Sequence, residues 1–230
     1  MTQCEFCDEF SGGRTNSFAR RYQHEMPDRT IFATCNFKVI PSLGQIVEGY
    51  LLLVPTRHYG TLADMPIVLI KEVAALTNLV REALRHSYGS QCLFFEHGAR
   101  NVASGGCGIY HAHLHAVPFS ESDDPIQVLK RIHQYHEVQS FEDIKSVDHR
   151  SSYLYYEDVN SNRHIFDVAL LPSQYARQLL ARAIGTSKWD WRQYDREGAL
   201  LSTMTRIAKA ITELSPLRPL LADARQDLTP

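Results

Sequence analysis

No run of the chain stays apolar for the roughly 18 to 20 residues that a membrane-crossing helix needs, so a membrane partner is not expected. The opening MTQCEFCDEF also lacks the apolar core of a secretion signal, and a cytoplasmic protein is expected. Excess positive charge is missing too. With 24 Lys and Arg against 26 Asp and Glu, the net charge is −2, which leaves no global basic field for a polynucleotide. Cysteine is sparse and odd in number: Cys4, Cys7, Cys35, Cys92 and Cys107 exclude a paired disulfide framework and point to thiols or metal ligands. There is no strong internal repeat or low-complexity segment. What remains is an ordinary globular composition, 44% hydrophobic and 22% charged, with histidine unusually frequent at eleven.

Thr30 to Val54 is rich in β-branched and aromatic residues interrupted by turn signals, which predicts two strands. Between Asp64 and Tyr88, Leu69, Val73, Leu76, Val80, Ala83 and Leu84 recur at helical spacing, and Gly89 marks the helix end. Strands are predicted over Gln91–Glu96 and Ile109–Val117, with a glycine-rich loop between them. After the acidic turn ESDDP, Asp124 caps a helix predicted from Pro125 to about His136. A hairpin is expected from Tyr153–Tyr156 and His164–Leu171, then helices over Ser173–Ile184 and Asp195–Leu214, the last ended by Pro216.

His111, His113 and His115 alternate in YHAHLHAVP. On an extended strand they share one face, while Ala112, Leu114 and Ala116 take the other. Three unpartnered imidazoles are costly to bury, since each carries two ring nitrogens to satisfy. The alternatives are a solvated strand face, three ligands of one metal ion, or a divided site where one histidine attacks phosphorus and its neighbours orient it and neutralise charge.

HAHLHAV resembles the signature of the histidine-triad superfamily of nucleotide hydrolases and transferases. Cys4-Glu5-Phe6-Cys7 is similar to that family's N-terminal CxxC, and GYLLLVPTRH (residues 49–58) to its strand ending in Pro-x-x-His. Leu62-Ala63-Asp64 and the long helix follow in the same order, so the resemblance covers about residues 1–120. It implies that His113 is the nucleophile, forming a covalent nucleotidyl-imidazole, and that His115 contacts the phosphate oxygens. It also implies that His111 joins Cys4, Cys7 and His58 around a structural Zn2+, with His97 as the rival to His58. Two thiolates and two imidazoles suit a closed tetrahedral zinc site.

Where the family places Gln and then Ser or Thr before the triplet, this chain has Cys107 and Gly108. Backbone amides of Gly105, Gly106 and Gly108 are candidates to meet phosphate instead. Asn101 resembles the family's Asn near the phosphate, and Asn36 stands about where a ribose contact is found. Beyond Pro118 the chain carries Trp189 and Trp191, read as packing anchors, and Arg177, Arg182 and Arg192, which could reach an anionic leaving group.

The expectation is therefore an α+β fold: a histidine-triad-like antiparallel sheet with helices over 1–120, and a smaller α+β extension over 121–230. Its partner would be a small-molecule nucleotide, and the resemblance implies a homodimer. Hydrolysis at the α-phosphate leads, because His115 is retained. Transfer to phosphate or a sugar phosphate, a metallohydrolase, and a non-catalytic nucleotide binder are the alternatives.

Overall fold

The computed structural model describes residues 4–22, 24–99, 108–148 and 150–214. Period-two alternation on its central strands sends two sets of apolar side chains to opposite faces of one sheet. Phe37, Val39, Leu51, Leu53, Phe94, Leu114 and Tyr155 face one way. Ile40, Leu52, Val54, Leu93, Phe95, Val117, Leu154 and Tyr156 face the other. Because both faces are covered, the strands read as continuous apolar runs rather than as half-polar ones.

The sheet has eight strands, all paired antiparallel: β1 (Phe32–Ala33), β2 (Phe37–Pro41), β3 (Leu51–Pro55), β4 (Cys92–Gly98), β5 (Leu114–Pro118), β6 (Tyr135–Val138), β7 (Tyr153–Glu157) and β8 (Arg163–Asp167). Their spatial order is β1-β2-β3-β5-β4-β7-β8-β6. The histidine-bearing strand thus lies between β3 and β4, away from either edge. Helices α3 (Ile67–Tyr88) and α6 (Glu197–Glu213) pack with the first face. Short α1 (Glu5–Phe10), α4 (Ile126–Ile132) and α5 (Tyr175–Ala183) supply Phe6, Leu129 and Leu180 to the second, and α2 (Ser17–Tyr22) follows α1.

The expected α+β fold with an antiparallel sheet is the one observed. Helix α3 stops where expected, with Gly89 in the left-handed region at φ 64°. Asp124 Oδ1 accepts the Ile126 amide at 2.9 Å, but the N-cap position of α4 is Pro125, so Asp124 stands one residue before the expected cap. Three further local expectations are corrected. The 30–54 region holds a third, two-residue strand, β1. Helix α4 ends at Ile132, because Tyr135–Val138 gains a ladder with β8 that a continued helix would forgo. The strand predicted over Ile109–Val117 begins only at Leu114, since Ala112 donates to the Tyr59 carbonyl at 2.8 Å instead of to a neighbouring strand.

The division at residue 120 runs through a single hydrogen-bonded sheet. Strand β7 pairs with β4 from Phe94↔Glu157 to Gly98↔Tyr153, so the residues after Pro118 widen the same sheet. Pro216 and the tail lie outside the described residues. Among the described residues no helix is long and apolar enough to cross a membrane.

Candidate active site and metal centre

The three histidines do not share one task. His111, in the irregular approach to β5, donates from Nε2 to the Pro55 carbonyl at 2.8 Å. Its Nδ1 lone pair then faces two thiols, 3.3 Å from Cys4 Sγ and 3.6 Å from Cys7 Sγ. His58 Nδ1 stands 3.4 Å from Cys7 Sγ. These four ligand atoms all lie within 4.8 Å of one another.

Zinc at about 2.3 Å from sulfur and about 2.0–2.1 Å from nitrogen, in tetrahedral geometry, separates S and N by about 3.5 Å. The observed S···N distances bracket that spacing. The Pro55 carbonyl supplies the outer hydrogen bond that orients a metal-bound imidazole. A Cys2His2 zinc centre therefore fits the residues present. Its four protein ligands would leave no open position, so its chemistry would be structural: tying α1 to the Pro55–His58 turn and to the triad strand. His97 is not part of this group.

His113 and His115 instead face a cleft that opens to solvent, walled by Phe18, Leu43, Leu52, Ile109 and Trp191. His113 donates from Nδ1 to the His111 carbonyl at 2.6 Å, which leaves the Nε2 lone pair free. Burial lowers its pKa, so the ring is neutral at neutral pH. His115 Nδ1 is 2.8 Å from the Tyr50 hydroxyl, and Phe95 stacks flat on the ring at 4.2 Å between centroids. Burial holds His115 well below the usual histidine range. Phe6 of α1 stands edge-on to both His111 and His113, at 5.6 and 5.5 Å, and so joins the metal cluster to the cleft.

Other expected contacts divide. Gly108 adopts φ +88°, and a Cβ there would meet Arg192 Nη2 at 2.0 Å. Arg192 donates to its carbonyl at 3.3 Å. Asn36 is not brought to the cleft: its Nδ2 donates to Glu72 of α3 at 2.7 Å, on the opposite side of the sheet, because the β1–β2 turn leans on that helix. Asn101, Gly105, Gly106 and Cys107 lie outside the described residues. Trp191 is a buried anchor among Phe18, Tyr22, Met26, Leu43 and Leu200, and also a wall of the cleft.

Some cleft residues escaped the sequence reading, and others were read there in another role. His97, weighed earlier as a zinc ligand, is buried beside His113 with Nε2 lacking a hydrogen-bond partner among the described residues, and burial pushes its pKa down to about 4. The pairing Phe95↔His115 extends to set His97 opposite His113, so strand alternation carried the signal once β4 and β5 were known to be neighbours. Arg29 is buried against Glu9 through two 2.7 Å bonds, and both line the cleft. Arg177, one of the three arginines read as reaching a leaving group, lines the cleft, whereas Tyr50, buried behind it, had no local signal.

Over 76 residues the chain is 31% identical to adenylylsulfatase HINT3 of Arabidopsis thaliana, a match covering 33% of this chain and 38% of that protein. The proteins this chain is similar to are histidine-triad proteins. No family model matches it. Among solved structures, a hypothetical histidine triad nucleotide-binding protein from Sulfolobus tokodaii is 14% identical, with a TM-score of 0.48 over 92% of this chain and 93% of that one. A zinc-bound histidine triad family protein from Mycobacterium smegmatis is 22% identical, with a TM-score of 0.40 over 53% and 78% of the two chains. The match thus spans well under half of the curated relative. Beyond Pro118 the chain lends Leu154 of β7, Arg177 of α5, and Leu171 and Trp191 to the cleft.

Proposed function

We propose that this chain is a nucleotide hydrolase acting at the α-phosphate of a nucleoside phosphate anhydride, ester or amidate. The observation that carries the reading is the 2.6 Å bond from His113 Nδ1 to the His111 carbonyl, which aims a neutral Nε2 lone pair at the cleft. That lone pair attacks phosphorus while the leaving group departs with the electron pair of its bond. The nucleotidyl group then sits on His113 Nε2 until water attacks phosphorus and the P–N electrons return to the ring. His115 contacts the charge that develops on the phosphate, and the apolar wall of Phe18, Leu43 and Trp191 receives the base.

Divergence of the ring nitrogens weighs against the metallohydrolase alternative. His111 turns its free nitrogen to the thiols, while His113 and His115 face the cleft. The name of the Arabidopsis relative adds adenylyl sulfate to the candidate substrates, a mixed anhydride whose leaving group is sulfate.

The test is release of nucleoside monophosphate from dinucleoside polyphosphates, nucleotide sugars, nucleoside phosphoramidates and adenylyl sulfate, by wild type and His113→Ala, with and without added phosphate. Release by wild type alone supports the hydrolase. Phosphate-dependent nucleoside diphosphate moves the assignment to a phosphorylase. Tight nucleotide binding without turnover makes the chain a binder.

A further inference from the structure

The two parts of the chain meet on Tyr50. This tyrosine, just before β3, is fully buried, and its hydroxyl lies 2.8 Å from His115 Nδ1. Over its ring, 5.0 Å from the centroid, stands the guanidinium of Arg177 on α5. Arg177 is 3% exposed. It donates to the Trp189 carbonyl at 2.8 Å, to Ser42 Oγ at 3.1 Å and to the Gly44 carbonyl at 2.5 Å. Those acceptors are neutral, and among the described residues no carboxylate lies within ion-pair distance of it. Asp190, whose charge it feels, accepts instead from Gln174 at 2.7 Å and from the Arg192 amide at 3.0 Å. A buried cation without a paired anion is expensive unless it serves the site it borders, and Arg177 borders the cleft.

A phenol has a single proton to give. The guanidinium over Tyr50 is a fixed cation, and its field favours the phenol with the O–H dipole directed away from it. The acceptor on the far side is His115 Nδ1. A neutral imidazole that accepts at Nδ1 carries its proton on Nε2.

We propose that Arg177, contributed by the chain beyond Pro118, acts through Tyr50 as a positioning residue that keeps His115 in the Nε2–H tautomer, the form that hydrogen-bonds the departing atom. The inference rests on His113 as the attacking group. When the bond from phosphorus to the leaving atom breaks, its electron pair stays on that atom, and the Nε2–H bond stabilises the growing charge. The proton remains on His115, and the leaving atom takes one from water. Phe95, stacked on His115 within 8° of parallel, fixes the plane in which Nε2–H points. The extension thereby completes the catalytic site as well as enlarging the fold.

The experiment compares wild type, Tyr50→Phe and Arg177→Met as full chains on nucleoside 5′-phosphate aryl and alkyl esters with leaving groups of graded basicity. It is paired with 15N NMR of histidine-labelled protein, in which His115 is assigned through His115→Asn. Tyr50→Phe is expected to lower kcat/KM about tenfold to a hundredfold for basic leaving groups and less than about threefold for 4-nitrophenolate, which needs little help to leave. In the NMR, wild-type His115 is expected to be protonated on Nε2, and Tyr50→Phe to mix the two tautomers. Arg177→Met should steepen the leaving-group dependence in the same sense, and Tyr50→Phe decides alone if that variant does not fold.

An equal loss across all leaving groups, or a wild-type His115 protonated on Nδ1, overturns the proposal and leaves the hydrolase reading standing. The converse is a wild type that turns over no ester yet holds the proton on Nε2 until Tyr50 is changed. That result supports the tautomer device and overturns the hydrolase.

Discussion

The carbonyl of Pro55 accepts the Nε2 proton of His111 at 2.8 Å, and this one bond selects the nitrogen that meets the thiols of Cys4 and Cys7. An imidazole locked in that tautomer is ready to ligate a metal without reorganising, and the ligand spacing is that of tetrahedral zinc. Purified protein is therefore expected to hold one zinc per chain by elemental analysis. Cys4→Ser with Cys7→Ser, or His58→Ala, should reduce that content and lower the melting temperature by about 5–10 °C, given about 2–4 °C per kcal/mol for a chain of this size. Full zinc content in the double cysteine variant would show that the metal sits elsewhere.

His113→Ala removes the attacking nitrogen itself. Turnover is expected to fall by at least about 10³-fold. In rapidly quenched wild type, intact-protein mass should show one added nucleotidyl group, stable to alkali and lost in acid as a P–N bond requires. Unchanged turnover in the alanine variant would refute the nucleophile assignment.

His97 gives up nothing in the free protein, because its buried Nε2 has no partner to lose among the described residues. His97→Phe should leave the melting temperature unchanged or raise it, since exchanging an unsatisfied polar group for an apolar one is neutral to stabilising. If Nε2 meets the phosphate in the cleft, the same change should lower kcat/KM about tenfold. Calorimetry and steady-state kinetics on one preparation check both halves. A stability loss with kinetics intact would make His97 a packing residue.

Glu96 places an ionisable group on the opposite face of β4. It accepts the Leu62 amide at 2.7 Å and the Tyr153 hydroxyl, and burial pushes its carboxyl up to about 7 from an ordinary 4.5. Between those values the folded chain binds more protons than the unfolded one, so this group makes stability fall as pH rises from about 4.5 to about 7. His97 works the other way: held near 4 when folded, it makes stability rise with pH up to about 6.5. The difference in urea-unfolding free energy between wild type and Glu96→Gln isolates Glu96. It should shrink, in the sense of wild type losing relative stability, by on the order of 2 kcal/mol between pH 5 and pH 7.5. A pH-independent difference would mean that Glu96 ionises as freely when folded as when unfolded.

The triplet, the CxxC and the long helix were readable from local spacing, because strand and helix periodicities set which side chains share a face before any neighbour is known. The Gly89 terminus was readable for the same reason: a left-handed residue acts within a few residues of itself. The fate of Asn36 was not, since the choice between the cleft and Glu72 depends on which side of the sheet α3 covers. Nor was the split among the histidines. Alternation puts His111, His113 and His115 on one face, but the chain leaves the ladder before Leu114, and the Pro55 carbonyl then turns His111 toward the thiols.

Tyr50, the β4 pair Phe95 and His97, and Arg177 come from three separated stretches of the chain. They converge around His113 and His115 only because β5 inserts between β3 and β4 and the later strands extend the sheet from β4. Local pattern therefore determines the elements and the chemical kind of site. The tertiary pairing decides which nitrogen is free, which is metal-facing and which cation stands behind it, because each of those choices is a contact between residues distant in sequence.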